Sequence, residues 1–275
     1  MSSPDSASSQ SEHFLALHHG ATPLLLPNPW DIGSARLFAA MGFTALATTS
    51  SGFAASVGRI DGQVTREEAL AHAADIVRAT ALPVSADLEN GFGADLAAVA
   101  ETYALAVQSG LAGGSIEDST DDPDAPILDM AAAADRVRAA AEAAHGIDPH
   151  FVLTGRAENY FHGRPDLDDT IRRLQAYQEA GADVLYAPGL TRTEDIRSVV
   201  TSVDRPVNVL TRPTAPTVAE LSALGVARIS VGGAFAFAAF GAAAEAAREF
   251  IEQGTHGYLA QSRVGGDAVA RFGDA

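Results

Sequence analysis

Three short charged clusters sit where apolar, strand-like runs stop: Asp87-Leu88-Glu89 after PVSA, Glu117-Asp118 after GGSI, and Arg156-Ala157-Glu158 after FVLTG. They are about 30 to 40 residues apart, the length of one strand–helix unit in an alternating chain. If the strands are parallel neighbours, Asp87, Glu89, Glu117 and Arg156 meet at one end of a sheet. Three carboxylates and a guanidinium are the groups that hold a hard divalent cation beside a small anion. Glu89 lies two residues past Asp87, so in an extended chain it points the same way. One direct carboxylate and two acting through water suffice for Mg2+, which keeps several of its waters, with Mn2+ as its substitute.

Weaker signals surround this set. Thr48-Thr49-Ser50-Ser51-Gly52 ends another strand-like run, and backbone N–H groups there are placed to hold a carboxylate or oxyanion. Asn90-Gly91-Phe92-Gly93 reads equally as a tight turn beside a ligand and as a plain turn. His162, in the loop NYFHGRPDL near Arg156, is a candidate general acid or base. Glu158 is expected to orient the Arg156 guanidinium. His18 and His19 precede the first strand at the far end and read as surface residues.

Composition removes several chemistries. The 275 residues include no cysteine and no lysine, all 18 basic residues being arginine. That excludes disulfides, thiolate nucleophiles, Lys Schiff bases and the P-loop lysine. A net charge of −17 and a pI near 4.7 argue against nucleic-acid and anionic-membrane partners. No apolar run reaches the roughly 18 residues of a spanning helix, so a cytoplasmic protein is expected. An anionic small-molecule partner is still compatible with this charge, because a bound metal and a nearby arginine dominate the local field.

The elements that must position these residues repeat along the chain. Gly42, Gly110, Gly181 and Gly225 each follow a helical stretch and precede a short apolar run, as expected of a left-handed residue closing a helix. Strand candidates also lie at Pro23–Pro27, Pro83–Asp87, Phe151–Arg156 and Pro206–Leu210. Helix-like segments fall at 31–41, 65–80, 95–109, 129–145, 167–180, 192–200, 217–224 and 236–253. Eight such units predict an α/β fold, a (β/α)8 TIM barrel, over residues 13–254. A doubly wound open sheet is disfavoured because no glycine fingerprint follows the first strand. The Ser-rich residues 1–12 read as a disordered tail and residues 255–275 as a second tail. The 236–253 helix is apolar nearly all round, which points to burial at a subunit interface.

These residues carry a resemblance. NPWDIGSARLFAAMGF, TTSSGF with Asp61 beyond it, ADLENGFG, the Ile-Glu-Asp at 116–118 and TGRAENY together resemble the isocitrate lyase / phosphoenolpyruvate mutase superfamily, from about Pro27 to Phe250. The resemblance implies a Mg2+-dependent barrel lyase or decarboxylase that handles small α-keto or 2-hydroxy (di)carboxylates through an enolate-like pyruvate fragment. It implies Asp87 as direct metal ligand, with Glu89 and Glu117 bridged by water. It further implies Ser50, Ser51 and Gly52 at the substrate carboxylate, Arg156 at the substrate's anionic end and Asp61 near the reacting centre. Asn208, in the strand-seven run PVNVL, would also face the site. Similar proteins are homo-oligomers, dimers or tetramers, the tetramers swapping the last helix between barrels.

The chain also departs from that pattern. Where isocitrate-type lyases carry a Lys-x-Cys-Gly-His lid, it has STDDPDAPILDM, and it lacks the Lys and Asn of phosphonopyruvate-handling members. Phosphonopyruvate-type P–C mutase or hydrolase chemistry is one alternative, since Arg156 suits a phosphonate as well as a carboxylate, and a non-catalytic ligand-binding barrel, suggested by the altered lid, is another.

Overall fold

A computed structural model describes residues 4–120 and 122–274. Eight short strands alternate with helices: β1 (Leu24–Leu26), β2 (Leu46–Ala47), β3 (Val84–Asp87), β4 (Gly113–Glu117), β5 (Val152–Arg156), β6 (Val184–Tyr186), β7 (Val207–Leu210) and β8 (Arg228–Ser230). All neighbouring strands pair in parallel, in the order β1-β8-β7-β6-β5-β4-β3-β2. The Ala47 N–H donates to Pro27 O at 3.1 Å and joins the two ends of the series, so the sheet closes into the expected (β/α)8 barrel.

The helices are α1 (Pro4–Leu17), α2 (Ile32–Ala40), α3 (Ser50–Ser56), α4 (Arg66–Ala79), α5 (Leu96–Gln108), α6 (Met130–His145), α7 (Leu167–Glu179), α8 (Thr193–Ser202), α9 (Val218–Ala223), α10 (Ala234–Gln253) and α11 (Leu259–Val269), followed by a 3-10 turn at Ala270–Asp274. Side-chain caps start them where the sequence placed them. Asp31, Thr65, Asp95, Asp129 and Thr217 each accept a backbone N–H from the first turn. Gly42, Gly110, Gly181 and Gly225 have φ of +90°, +88°, +110° and +85°, the left-handed conformation their position requires.

The main apolar core fills the space between barrel and helices, with Tyr103, Tyr177, Leu174 and Ile196 fully buried. A smaller one lies inside the barrel floor, where Phe14 of α1 packs among Leu24, Leu26, Val152 and Val184. Gly113 makes room for it: a Cβ there would meet Val152 O at 2.6 Å and the Phe14 ring at 3.0 Å.

The tail expected at 1–12 is therefore corrected from Pro4 onward, while Met1–Ser3 lie outside the described residues. Gln10 Nε2 donates to Ala81 O at 2.7 Å and Ser11 is buried. Serine-rich composition does not decide order when the helix it begins ends in a buried phenylalanine. The stretch expected as a second tail carries α11 and the 3-10 turn. On α10, Phe235, Phe237, Phe240, Phe250 and Ile251 are exposed in the single chain.

Candidate active site

The C-terminal ends of the strands surround a cavity of about 440 Å3, lined by Ser50, Asp61, Asp87, Arg156, Tyr186 and Asn208 among others. Asp87 closes β3 and is fixed from three sides. Its N–H donates to Thr48 Oγ1 (3.0 Å), its Oδ2 accepts from the Ser50 hydroxyl (3.0 Å) and N–H (3.4 Å), and its Oδ1 faces Arg156 Nη1 at 3.6 Å.

Arg156, closing β5, is enclosed by acids. Nη1 pairs with Glu117 Oε2 at 2.9 Å, and Nε pairs with Glu158 Oε1. The guanidinium also lies 5.3 Å from the centre of the Tyr186 ring. Burial alone would weaken its charge, but Glu117, Glu158 and Asp87 reverse that and hold it firmly protonated. The expectation that Glu158 orients this guanidinium is met.

Glu117 closes β4. Burial pushes its carboxyl up to about 7, with Arg156 opposing and the neighbouring acids adding to the rise, while Ser119 Oγ donates to Oε1. Its neighbour Asp118 points the other way. Asp118 accepts from the Glu158 N–H (2.8 Å), Arg173 Nη1 (2.9 Å) and the Tyr177 hydroxyl (2.6 Å), and ties the loops after β4 and β5 to α7. Asp61, on the exposed loop between α3 and α4, lines the cavity. Partial burial and the charge of Asp87 hold its carboxyl above the usual range.

Several expected positions are revised. The Thr48–Gly52 segment is a strand end followed by the first turn of α3, capped by Thr49. Ser50 and Ser51 reach the cavity, but Gly52 does not line it. The Gly52 N–H donates to Thr49 Oγ1 at 3.3 Å, and a Cβ there would meet Trp30 and Ala236 at 3.2 Å, so this glycine permits close packing. Glu89 does not follow the alternation of β3, because the strand ends at Asp87 and Glu89 takes φ +48°. It lines a small adjoining pocket with Asp87, Phe53 and His72. Asn90–Gly93 is a plain turn clamped by Arg136, whose Nη2 donates to Asn90 O (2.6 Å) and Gly93 O (2.7 Å).

His162 is exposed and does not line the cavity; the preceding residue on that turn, Phe161, does. His18 is buried rather than on the surface. Asn208 lines the cavity. Its Nδ2 donates to Ser230 Oγ (3.0 Å), and its Oδ1 is buried without a partner among the described residues. Tyr186, Ser230 and Asn28 were not singled out from sequence, although the first two end β6 and β8 and the strand-end rule applies to them equally.

The donor set suits a hard divalent cation. Asp61, Asp87, Glu117 and Glu158 face one guanidinium, the surplus negative charge adds to the raised carboxyl values of Asp61, Glu117 and Glu158, and the nearby donors are oxygens. Among the described residues no three acid or histidine side chains form a ready ligand cluster.

Residues 14–251 match the family model described as phosphoenolpyruvate phosphomutase. The chain is 36% identical over 237 residues to an uncharacterised protein of Mycobacterium tuberculosis, covering 86% of this chain and 87% of that one. It is 30% identical over 207 residues to a 2-methylisocitrate lyase of Halalkalibacterium halodurans, covering 74% and 68%. A crystal structure described as a lyase/mutase of Burkholderia cenocepacia superposes with a TM-score of 0.94 at 50% identity, covering 98% of both chains. Oxaloacetate acetylhydrolase bound to oxalate superposes with a TM-score of 0.80 at 25% identity, covering 92% and 89%. The chain thus belongs to the phosphoenolpyruvate phosphomutase family, within the isocitrate lyase / phosphoenolpyruvate mutase superfamily.

Proposed function

We propose that the protein is a Mg2+-dependent carbon–carbon lyase or decarboxylase acting on a small 2-keto or 2-hydroxy acid. The observation that carries this reading is the convergence of Asp61, Asp87 and Glu117 on Arg156 beside a polar cavity at the barrel mouth. The 2-methylisocitrate lyase and oxaloacetate acetylhydrolase relatives act on acids of this kind.

Asp87 would hold the ion directly, with Glu117 and Glu89 acting through water. A bound Mg2+ would supply the positive charge on which an enolate-like product fragment depends. The chain's own residues do the rest. Ser50 fixes the Asp87 carboxylate, Arg156 bridges Glu117 and Glu158, and Asn208 Oδ1 offers a buried acceptor to a substrate hydroxyl. Asp61 faces the cavity as the acid or base, a role His162 is too exposed to fill.

Thermal unfolding with Mg2+, with and without oxalate, tests this. A ligand at about 100 times its Kd adds about 2.7 kcal/mol, a rise of several degrees. A shift that requires both Mg2+ and oxalate and is lost in Asp87→Ala supports the reading; no shift at saturation overturns it. P–C bond chemistry is the second reading, favoured by the name of the matching family model. Phosphorus NMR of phosphonopyruvate incubated with the enzyme separates the two. Ligand binding with no turnover of either class would leave a binding barrel.

A further inference from the structure

The cavity at the barrel mouth is lined by six titratable side chains: Asp61, Asp87, Arg156, Tyr186, Arg212 and Arg228. An arginine keeps its charge in a protein and only donates. Asp87 is committed to the ion. Asp61 and Tyr186 are left as the lining groups that can hand a proton to a substrate or take one from it. They stand on opposite sides: Asp61 follows β2, Tyr186 ends β6, and these strands are four places apart in the eight-stranded ring.

Tyr186 is buried. Its ring lies 5.3 Å from the Arg156 guanidinium, whose Nη1 is in turn 3.6 Å from Asp87 Oδ1. The phenol is thus one guanidinium away from the carboxylate that would hold the ion. Asn208 Nδ2 donates to Ser230 Oγ (3.0 Å), and Ser230 hydrogen-bonds the Tyr186 hydroxyl. With Oγ accepting from Asn208, the Ser230 hydrogen can turn to Tyr186 Oη and leave the phenolic hydrogen for the cavity. The charged groups around the phenol are Arg156, Glu158, Asp87 and Arg228. Burial outweighs the pull of Arg156 and pushes the phenol up to about 12, so it holds its proton at neutral pH.

We infer that Tyr186 is a catalytic residue, the general acid that delivers a proton to the enolate carbon of the product fragment. As the carbon–carbon bond breaks, its electron pair passes into the enolate. That pair then forms a C–H bond with the phenolic hydrogen, the O–H bond breaks, and the charge stays on Tyr186 Oη until water returns the proton. Asp61, on the far side, is left for the hydroxyl proton of a 2-hydroxy substrate. This rests on the metal–acid reading, which supplies the enolate.

Pyruvate is the probe, because its C3 hydrogens exchange with D2O through the same enolate. A general acid in one direction is the general base in the other. Exchange is followed by proton NMR on the Mg2+-loaded protein, above a Mg2+ blank. The wild-type rate is expected to rise about tenfold per pH unit between about pH 7 and 9, following the phenolate share. Tyr186→Phe, which removes one oxygen, is expected to lose at least about 100-fold, and the pH slope with it. Oxalate, which has no C–H to exchange, should still bind both proteins with Mg2+.

A Tyr186→Phe rate and slope equal to the wild type would overturn the inference. Exchange that is flat above about pH 7 and lost in Asp61→Asn would also overturn it, by assigning the carbon proton to Asp61. So would no exchange in the wild type with oxalate still bound, because an acid in place must work in reverse. Exchange that depends on Tyr186 without any Mg2+-dependent binding of oxalate would overturn the metal–acid reading and leave the tyrosine's role standing. Failure of both readouts would overturn both.

Discussion

His18 Nε2 lies 3.2 Å from Arg228 Nη1 across 210 residues of chain, and it joins helix α1 to the floor of the cavity. A guanidinium can only donate, so Nε2 accepts, and the proton sits on Nδ1, which bonds Phe14 O at 2.8 Å. The imidazole is neutral by construction. Burial first, then the Arg228 charge, pushes it down to about 3.

That pair has a consequence for stability. In the unfolded chain His18 takes a proton below its ordinary value of 6.5, whereas in the folded protein it does so only near 3. The unfolded state therefore binds more protons across that window, and stability falls as pH drops from 6.5 towards 3 by up to about 1.4 kcal/mol per pH unit. Between pH 6.5 and 5 the wild type should lose about 2 kcal/mol more than His18→Gln. Urea midpoints at the two pH values check this; parallel curves would mean the histidine is not held neutral.

Adjacent acids should behave oppositely. Asp118 is a buried partner of Arg173 and Tyr177, and Asp118→Asn leaves a buried cation undercompensated at a cost of about 3 kcal/mol. Burial first, and then the neighbouring acids, raise the Glu117 carboxyl against the pull of Arg156, so Glu117→Gln should leave the melting temperature unchanged or raised while removing the Mg2+-dependent response to oxalate. Melting curves of both variants with and without the two ligands decide it.

This contrast marks where the sequence could be read and where it could not. Apolar runs ending in charge located Asp87, Glu117 and Arg156, and glycines after helices located the turns, because both patterns are local consequences of strand and helix geometry. Glu89 escaped because two-residue alternation holds only while the strand continues. The Phe161–His162 order escaped because a turn assigns its side chains by tertiary contact. His18 and Phe14 escaped for the same reason: a plug across a barrel floor depends on residues 100 and more positions away.

The floor plug should carry much of the stability of the N-terminal region. Phe14 is fully buried, and Phe14→Ala is expected to cost about 3–5 kcal/mol through lost burial and a cavity that Gly113 cannot fill. Gly113→Ala should also destabilise, by pressing a methyl group onto Val152 O and the ring. Since Phe14 lies below the mouth, the affinity of any folded Phe14→Ala fraction for oxalate with Mg2+ should change little. A large loss of affinity at unchanged stability would assign α1 to the site instead.

The remaining prediction concerns α10. Phe240 and Phe250 are each about half exposed and Ile251 is 80% exposed, apolar surface of the kind that marks an interaction site. Phe237, on the same helix, lines the cavity mouth, so covering this helix also closes one side of the site. A homo-oligomer that buries α10 against neighbouring barrels is expected. Light scattering on the wild type should give a multiple of 28.3 kDa, and Phe240→Glu with Phe250→Glu should shift it towards the single-chain mass. If the double variant dissociates yet keeps its affinity for oxalate with Mg2+, each barrel holds a whole site; if affinity falls with the mass, the neighbour's cover over Phe237 is part of the site.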